Sequence, residues 1–364
     1  MENKYPKLEI NLAHLRHNVA TIVENCGKYG VQVAGVIKGA SGLPQISKAF
    51  ADGGAAMIAS SRLEQLEDAK NIGVDKPMML LRVPMLSEIS EAIRVSDISL
   101  NSELETIEAL NQEARKQGKL HKVILMADVG DLREGYWDKE EIVDVAERIE
   151  NKMINIQLAG VGMNVGCYGS VLPTVDKLEE LAEIAEKIEE RIGRELEYVS
   201  GGATSSYMRI LDGNMPKKIN HLRIGEAALL ALDLDRFFGY DVSDMYQDVF
   251  RLRAQVIEVK NKPTHPVGTL AVDAFGHTPV YVDRGIRRRA LLGMGKIDYG
   301  FYEELLPAEE GIEIVGAASD HTIVDVEDAV RDFKIGDIMT FDVCYANMVY
   351  LTNNRNVHLE FIDK

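Results

Sequence analysis

Over residues 1–240 the sequence returns again and again to one pattern: a short apolar run that does not alternate, then an amphipathic stretch of helical period. The apolar runs fall at 33–37, 55–59, 78–83, 97–100, 123–127, 158–163, 196–199 and 221–224. Runs of this kind are how strands covered on both faces read, because neither face needs polar side chains. Between them, 62–71, 103–117, 139–150 and 175–192 place apolar residues at helical spacing. Eight strands each followed by a helix predict an α/β fold, a parallel (β/α)8 TIM-type barrel.

After about residue 240 the pattern changes. "VFRLRAQVIEV", "TPVYVDRG", "GIEIVGA", "TIVDV", "DIMTFDV" and "VHLEFI" read as short, often alternating strands divided by Gly, Pro and Asp turns, with little helix between them. They predict a smaller C-terminal β domain over 241–364, with residues 1–10 as a candidate extra strand of it. A chain of 364 residues is long for one core, which agrees with two domains.

The formal charge, 41 − 58 = −17, sits mostly on helices such as "DKLEELAEIAEKIEERIGRELE". Such a surface repels phosphate backbones, so nucleic acid is not an expected partner, and Arg287-Arg288-Arg289 reads as a solvated face or a local phosphate contact. No run approaches twenty apolar residues and MENKYPKLEI has no signal-peptide core, which predicts a cytoplasmic protein without a membrane partner. Cys26, Cys167 and Cys344 have neither zinc-cluster nor disulfide spacing and read as buried small hydrophobes; no metal is expected.

A barrel of this type gathers its chemistry at the C-terminal ends of its strands. There the sequence places Lys38, Ser60 and Ser61, Asn101, Arg133, Asn164, the stretch "SGGATSS" at 200–206, and Arg223 to Glu226. "SGGATSS" and "RIGEAAL" both offer small residues and backbone amides at helix starts, which suits a phosphate. A lysine ending a buried strand is either a side chain reaching for solvent or a reactive amine. Beside a phosphate site, the amine points to pyridoxal phosphate, whose aldehyde forms a Schiff base with lysine.

"LEINLAHLRHN", "VAGVIKG", "DVGDLR", "LAGVGMN", "ATSS" and "LRIGEAAL" occur in the order and spacing of the alanine racemase superfamily, the fold type III pyridoxal phosphate enzymes, and the chain resembles that superfamily over nearly its whole length. "VIKGASGLP", "DVGDLREGYW", "DAFG" and "ASDH" look most like its ornithine racemase and alanine/ornithine racemase-like branch. The resemblance implies a racemase interconverting L and D amino acids, acting as a head-to-tail homodimer in which each β domain completes the partner's site. It implies ornithine as substrate, with lysine or alanine behind it. Lys38 would hold the cofactor and serve as one acid/base. Arg133 would lie near the cofactor's phenolic oxygen and the substrate carboxylate. Arg223 would face the pyridine nitrogen, with Asn164 accepting from it. Thr204, Ser205, Gly225 and Glu226, the last through its amide, would hold the phosphate. An arginine cannot release its proton, so the ring nitrogen would stay unprotonated, a weaker electron sink that favours racemisation over transamination.

The sequence departs from the family at two places. Where alanine racemases carry a tyrosine as the second proton carrier, this chain has Phe275; His321, Tyr345 and His277 are the alternatives. Asn164 replaces a histidine. A basic side chain calls for a carboxylate; Glu134, Asp273 and Asp320 lie near candidate loops, and Asp320 is the one assigned here to the substrate. Competing readings are a D-amino acid aldolase or dehydratase of the same architecture, with His321 and Cys344 as available metal ligands, a non-catalytic pyridoxal phosphate carrier, and a phosphate-binding barrel isomerase in which Lys38 is a base.

Overall fold

The computed structural model describes residues 4–364. Two compact units emerge: Ala13–Tyr246, and the segment ending at Leu12 together with Gln247–Lys364. The smaller unit begins with β1 (Lys7–Asn11). The larger is a closed barrel of β2 (Gln32–Val36), β3 (Met57–Ser60), β4 (Met78–Leu80), β5 (Ile98–Asn101), β6 (His121–Met126), β7 (Ile156–Gly162), β8 (Tyr198–Ser200) and β9 (His221–Ile224). Neighbouring strands are parallel, and the ring closes where β9 pairs with β2, Val33 opposite Leu222.

All eight apolar runs of the first 240 residues are strands, shifted by a few residues at most, because each needs both faces covered. Inside, Ala34, Val36, Met57, Ala59, Met79, Ile98, Leu100, Ile124, Met126, Ala159 and Tyr198 form one buried cluster drawn from seven strands. Outside pack the helices Pro44–Asp52, Leu63–Asn71, Ile89–Val95, Leu104–Gln117, Lys139–Lys152, Val175–Ile192 and Thr204–Leu211. Burying one such Leu or Ile side chain contributes about 2 kcal/mol, so the barrel is a packed scaffold and its chemistry is confined to the rims.

The smaller unit is an eight-stranded sheet: β1 with β10 (Phe250–Pro263), β11 (Ile286–Leu292), β12 (Leu305–Pro307), β13 (Glu313–Ala317), β14 (Thr322–Asp325), β15 (Ile338–Val343) and β16 (His358–Ile362). Its path runs β12-β15-β10-β11-β14-β13, with β1 set between β10 and β16. β10 serves β15 with its first half and β11 with its second, across an irregularity at Val256/Glu258.

Two expectations are corrected here. "TPVYVDRG" is not a strand; the strand follows it and contains the arginine run. Nor is that run a free solvated face. Arg287 Nε donates to Asp325 at 2.6 Å and Nη2 reaches Asp328, Arg288 pairs with Asp332, and Arg289 donates to the Thr264 carbonyl at 3.1 Å. Opposite charges on neighbouring segments offset one another, which is why three arginines sit in a strand.

Candidate active site

Lys38 opens a single 3-10 turn directly after β2. Its side chain is accessible to solvent yet surrounded by protein, as at the floor of an open mouth. Burial of the ammonium, then the nearby positive charge of Arg133 and to a lesser degree that of Arg223, hold its pKa below the ordinary lysine value, while Cys167 and Glu134 act the other way. Lys38, Arg133 and Arg223 are therefore gathered at one rim.

Arg133 is placed by its own loop. The Asp128 carboxylate accepts from the amides of Gly130 at 2.8 Å and Leu132 at 3.2 Å. Gly135 has φ +134°, and a Cβ there would lie 2.5 Å from the Asp128 amide nitrogen, so only glycine lets the loop fold back. Asp131 ties down the next loop by accepting from Gly166, Tyr168 and Gly169 at 3.0–3.2 Å. The Arg133 guanidinium faces the Glu134 carboxylate with Nε and Nη2 and points Nη1 at Cys167 Sγ, 3.0 Å away.

Arg223, on β9, is buried and its pKa is pulled down to about 10 by burial, which leaves it cationic at neutral pH. Its Nη2 donates to the Met163 carbonyl at 2.7 Å and its Nη1 to Ser200 Oγ, which in turn lies 2.8 Å from His221 Nδ1. Burial, then the Arg223 charge, press the His221 pKa down to about 3, so this histidine is neutral. Asn164 does not accept from Arg223. The main-chain carbonyl just before it does, because the guanidinium is aimed at the ends of β7 and β8, and Asn164 Nδ2 is buried without a partner.

The phosphate loops are also built. Thr204 begins the helix Thr204–Leu211, whose first amides have no intrahelical acceptor, and Thr204 Oγ1 accepts from Ala227 N at 3.3 Å, linking the two loops. Ser205 Oγ donates to the Val165 carbonyl at 3.1 Å. A Cβ on Gly225 would come within 2.9 Å of the Val36 carbonyl oxygen, so glycine lets this turn close on the strand leading to Lys38. The Glu226 carboxylate turns inward, accepting from Leu232 and Asp233 amides at 3.2 and 3.1 Å, and burial raises its pKa to about 7.

The residues of the larger unit thus fit pyridoxal phosphate: an accessible amine, a buried cationic donor, amides at two linked helix starts and an orphaned amide donor at Asn164. Ser200, expected as part of the phosphate stretch, instead turns its hydroxyl to Arg223 and His221, and His221 was not anticipated. A signal was present, since His221 and Arg223 stand two apart on one strand and so share a face. A cavity of about 890 Å³ lined by Lys70, Asp97, His121 and Tyr198 lies instead at the N-terminal ends of the strands, away from Lys38.

The other predicted residues belong to the smaller unit. His321 is exposed, its Nδ1 3.0 Å from Asp320 Oδ1. Tyr345 is half-buried and opens the helix Tyr345–Thr352. Phe275 lies in a turn capped by the Asp273 carboxylate, which accepts from the Phe275 and His277 amides at 2.8 Å each; the Lys296 ammonium stands 4.3 Å from the phenyl centroid. His277 is exposed. Among the described residues no helix is long and apolar enough to cross a membrane.

Residues 10–232 match the alanine racemase N-terminal domain family. Ornithine racemase of Acetoanaerobium sticklandii is 41% identical over 360 residues, 99% of each chain, and lysine racemase of Thermotoga maritima is 36% identical over 342 residues, 94% of each. The alanine racemase structure from the D-cycloserine producer Streptomyces lavendulae matches the fold with a TM-score of 0.77, covering 100% of this chain and 98% of that one at 17% identity. A family match across most of the barrel and a relative at 41% identity along 99% of the sequence place the conclusion beyond fold alone: the chain belongs to the alanine racemase family.

Proposed function

We propose that the protein is a pyridoxal-phosphate-dependent racemase of a basic amino acid, with ornithine as the first substrate and lysine the second. The observation that carries this reading is the accessible Lys38 amine, its charged form disfavoured by burial and by two guanidinium groups at the same barrel rim. The named ornithine and lysine racemases support the choice of substrate class.

In this reading Ser205, Thr204 and the amides of Gly225 and Glu226 hold the phosphate, and Asn164 adds its unpartnered amide donor. When bound, the cofactor supplies an aldehyde that condenses with amines and a ring that withdraws electrons from the Cα–H bond. Lys38 would hold it and move the Cα proton on one face, its charged form being disfavoured at this rim. Arg133 binds the substrate carboxylate, for which a guanidinium fork is well shaped. Arg223, oriented by Ser200 and the Met163 carbonyl, would face the cofactor ring as a donor that does not give up its proton. The proton on the opposite face is assigned to His321, oriented by Asp320, which stays assigned to the substrate's side of the site; Tyr345 is the alternative. Both are supplied by the partner in a cytoplasmic head-to-tail homodimer, and a monomeric mass with full turnover overturns that part.

The test is the absorbance spectrum of the purified protein beside Lys38→Ala, followed by L-ornithine and chiral analysis of the product. A visible cofactor band lost in the variant, with D-ornithine formed by the wild type, is expected. A wild-type protein that takes up cofactor but forms no D-enantiomer of any amino acid sinks the reading.

A further inference from the structure

The mouth around Lys38 is strongly cationic: Lys38, Arg133 and Arg223 all face it. One carboxylate, Glu134, acts electrostatically on all three. Its side chain is 21% exposed, next to an Arg133 side chain that is 35% exposed. The neighbouring carboxylates are engaged with main chain. Asp128 and Asp131 accept backbone amides of their loops, and Glu226 accepts those of Leu232 and Asp233. Glu134 alone among these has a side chain, that of Arg133, as its partner.

A negative charge beside the arginine that receives a substrate carboxylate is a liability for a monoamino substrate, since it repels that carboxylate. It is an asset for a substrate with a second cation. Of the five N–H groups of a guanidinium, Glu134 takes two and Cys167 one, so 5 − 3 = 2 remain for an incoming carboxylate. A diamino acid can then set its α-carboxylate on Arg133 and its distal ammonium on Glu134, giving four charges that alternate in sign. Asp273 is already engaged by two backbone amides.

We infer that Glu134 is the specificity residue that receives the distal ammonium of a diamino-acid substrate. This rests on the racemase reading above. The test uses the holoenzyme with L-ornithine and L-norvaline, which share a carbon chain and differ by the ammonium, in wild type and in Glu134→Gln and Glu134→Asp. Wild type is expected to favour ornithine in kcat/KM by roughly tenfold to a hundredfold, the range of one charge-assisted contact. Glu134→Gln is expected to raise KM for ornithine at least about tenfold more than KM for norvaline, and Glu134→Asp to keep part of the preference. Equal rises for both substrates would show that Glu134 only steadies Arg133. Equal kcat/KM for the two substrates in wild type overturns the inference without any variant, and a wild type that racemises neither removes the racemase reading itself.

Discussion

Replacing Ser200 with alanine tests whether Arg223 is held from behind by a serine and a histidine. The hydroxyl is wholly buried, accepts from Arg223 Nη1 and lies 2.8 Å from His221 Nδ1. A guanidinium only donates, so the hydroxyl oxygen accepts from Arg223, and the same hydroxyl is hydrogen-bonded to the neutral His221 ring. Truncation removes one hydrogen bond to a charge, about 2 kcal/mol, and one neutral bond, about 1 kcal/mol. His221 Nε2 already lacks a partner, so both ring nitrogens would then be bare. A loss of about 3 kcal/mol in a unit of this size lowers the melting temperature by roughly 6–12 °C. Calorimetry of the holoprotein reads this directly, and Ser200→Thr, which keeps the hydroxyl, should recover most of the difference. A drop below about 2 °C for Ser200→Ala would refute the idea that the network holds the arginine.

The pH dependence of stability has a worked sign. Burial holds His121 at about 4 and His221 at about 3, below the unfolded value near 6.5, so the unfolded state binds more protons as pH falls. Glu226, raised to about 7, works the other way between about 7 and its unfolded value near 4.5. Stability should therefore fall between pH 6.5 and 4.5 with a net slope of about one proton, roughly 1.4 kcal/mol per pH unit, and more steeply just below; a flat melting profile from pH 6.5 to 4 argues against it. Gly135→Ala forces a Cβ against Asp128 and should displace Arg133, raising substrate KM roughly tenfold with the cofactor band retained. Unchanged KM would show that the loop tolerates the shift.

The barrel was legible because its signal is coarse: a strand buried on both faces must be apolar throughout, and eight such runs leave few alternatives. The β domain was harder. "TPVYVDRG" alternates as a strand does, yet β11 lies just beyond it and contains Arg287 to Arg289, whose charges are answered by Asp325, Asp328 and Asp332 from elsewhere in the sequence. Sequence spacing cannot show such pairing. The same limit explains Asn164. The acceptors on Arg223 are a main-chain carbonyl and Ser200, and a carbonyl carries no residue identity to read. Lys38 and Arg133 follow predicted strands and Arg223 stands near the end of one, so their common rim was legible, whereas the roles proposed for them come from the family resemblance.

The position of β1 bears on how the protein is made. It lies between β10 and β16, antiparallel to Leu252 and its neighbours and parallel to the segment from His358. A ribosome therefore releases β1 long before either neighbour exists, and the whole barrel emerges in between. The smaller unit cannot close its sheet until β16 has been synthesised, so β1 must wait for β10 and then β16 while the whole barrel is made. Nascent chains halted just short of β16 should hold a formed barrel and an unfinished sheet, and they are the species on which a chaperone would have most to do.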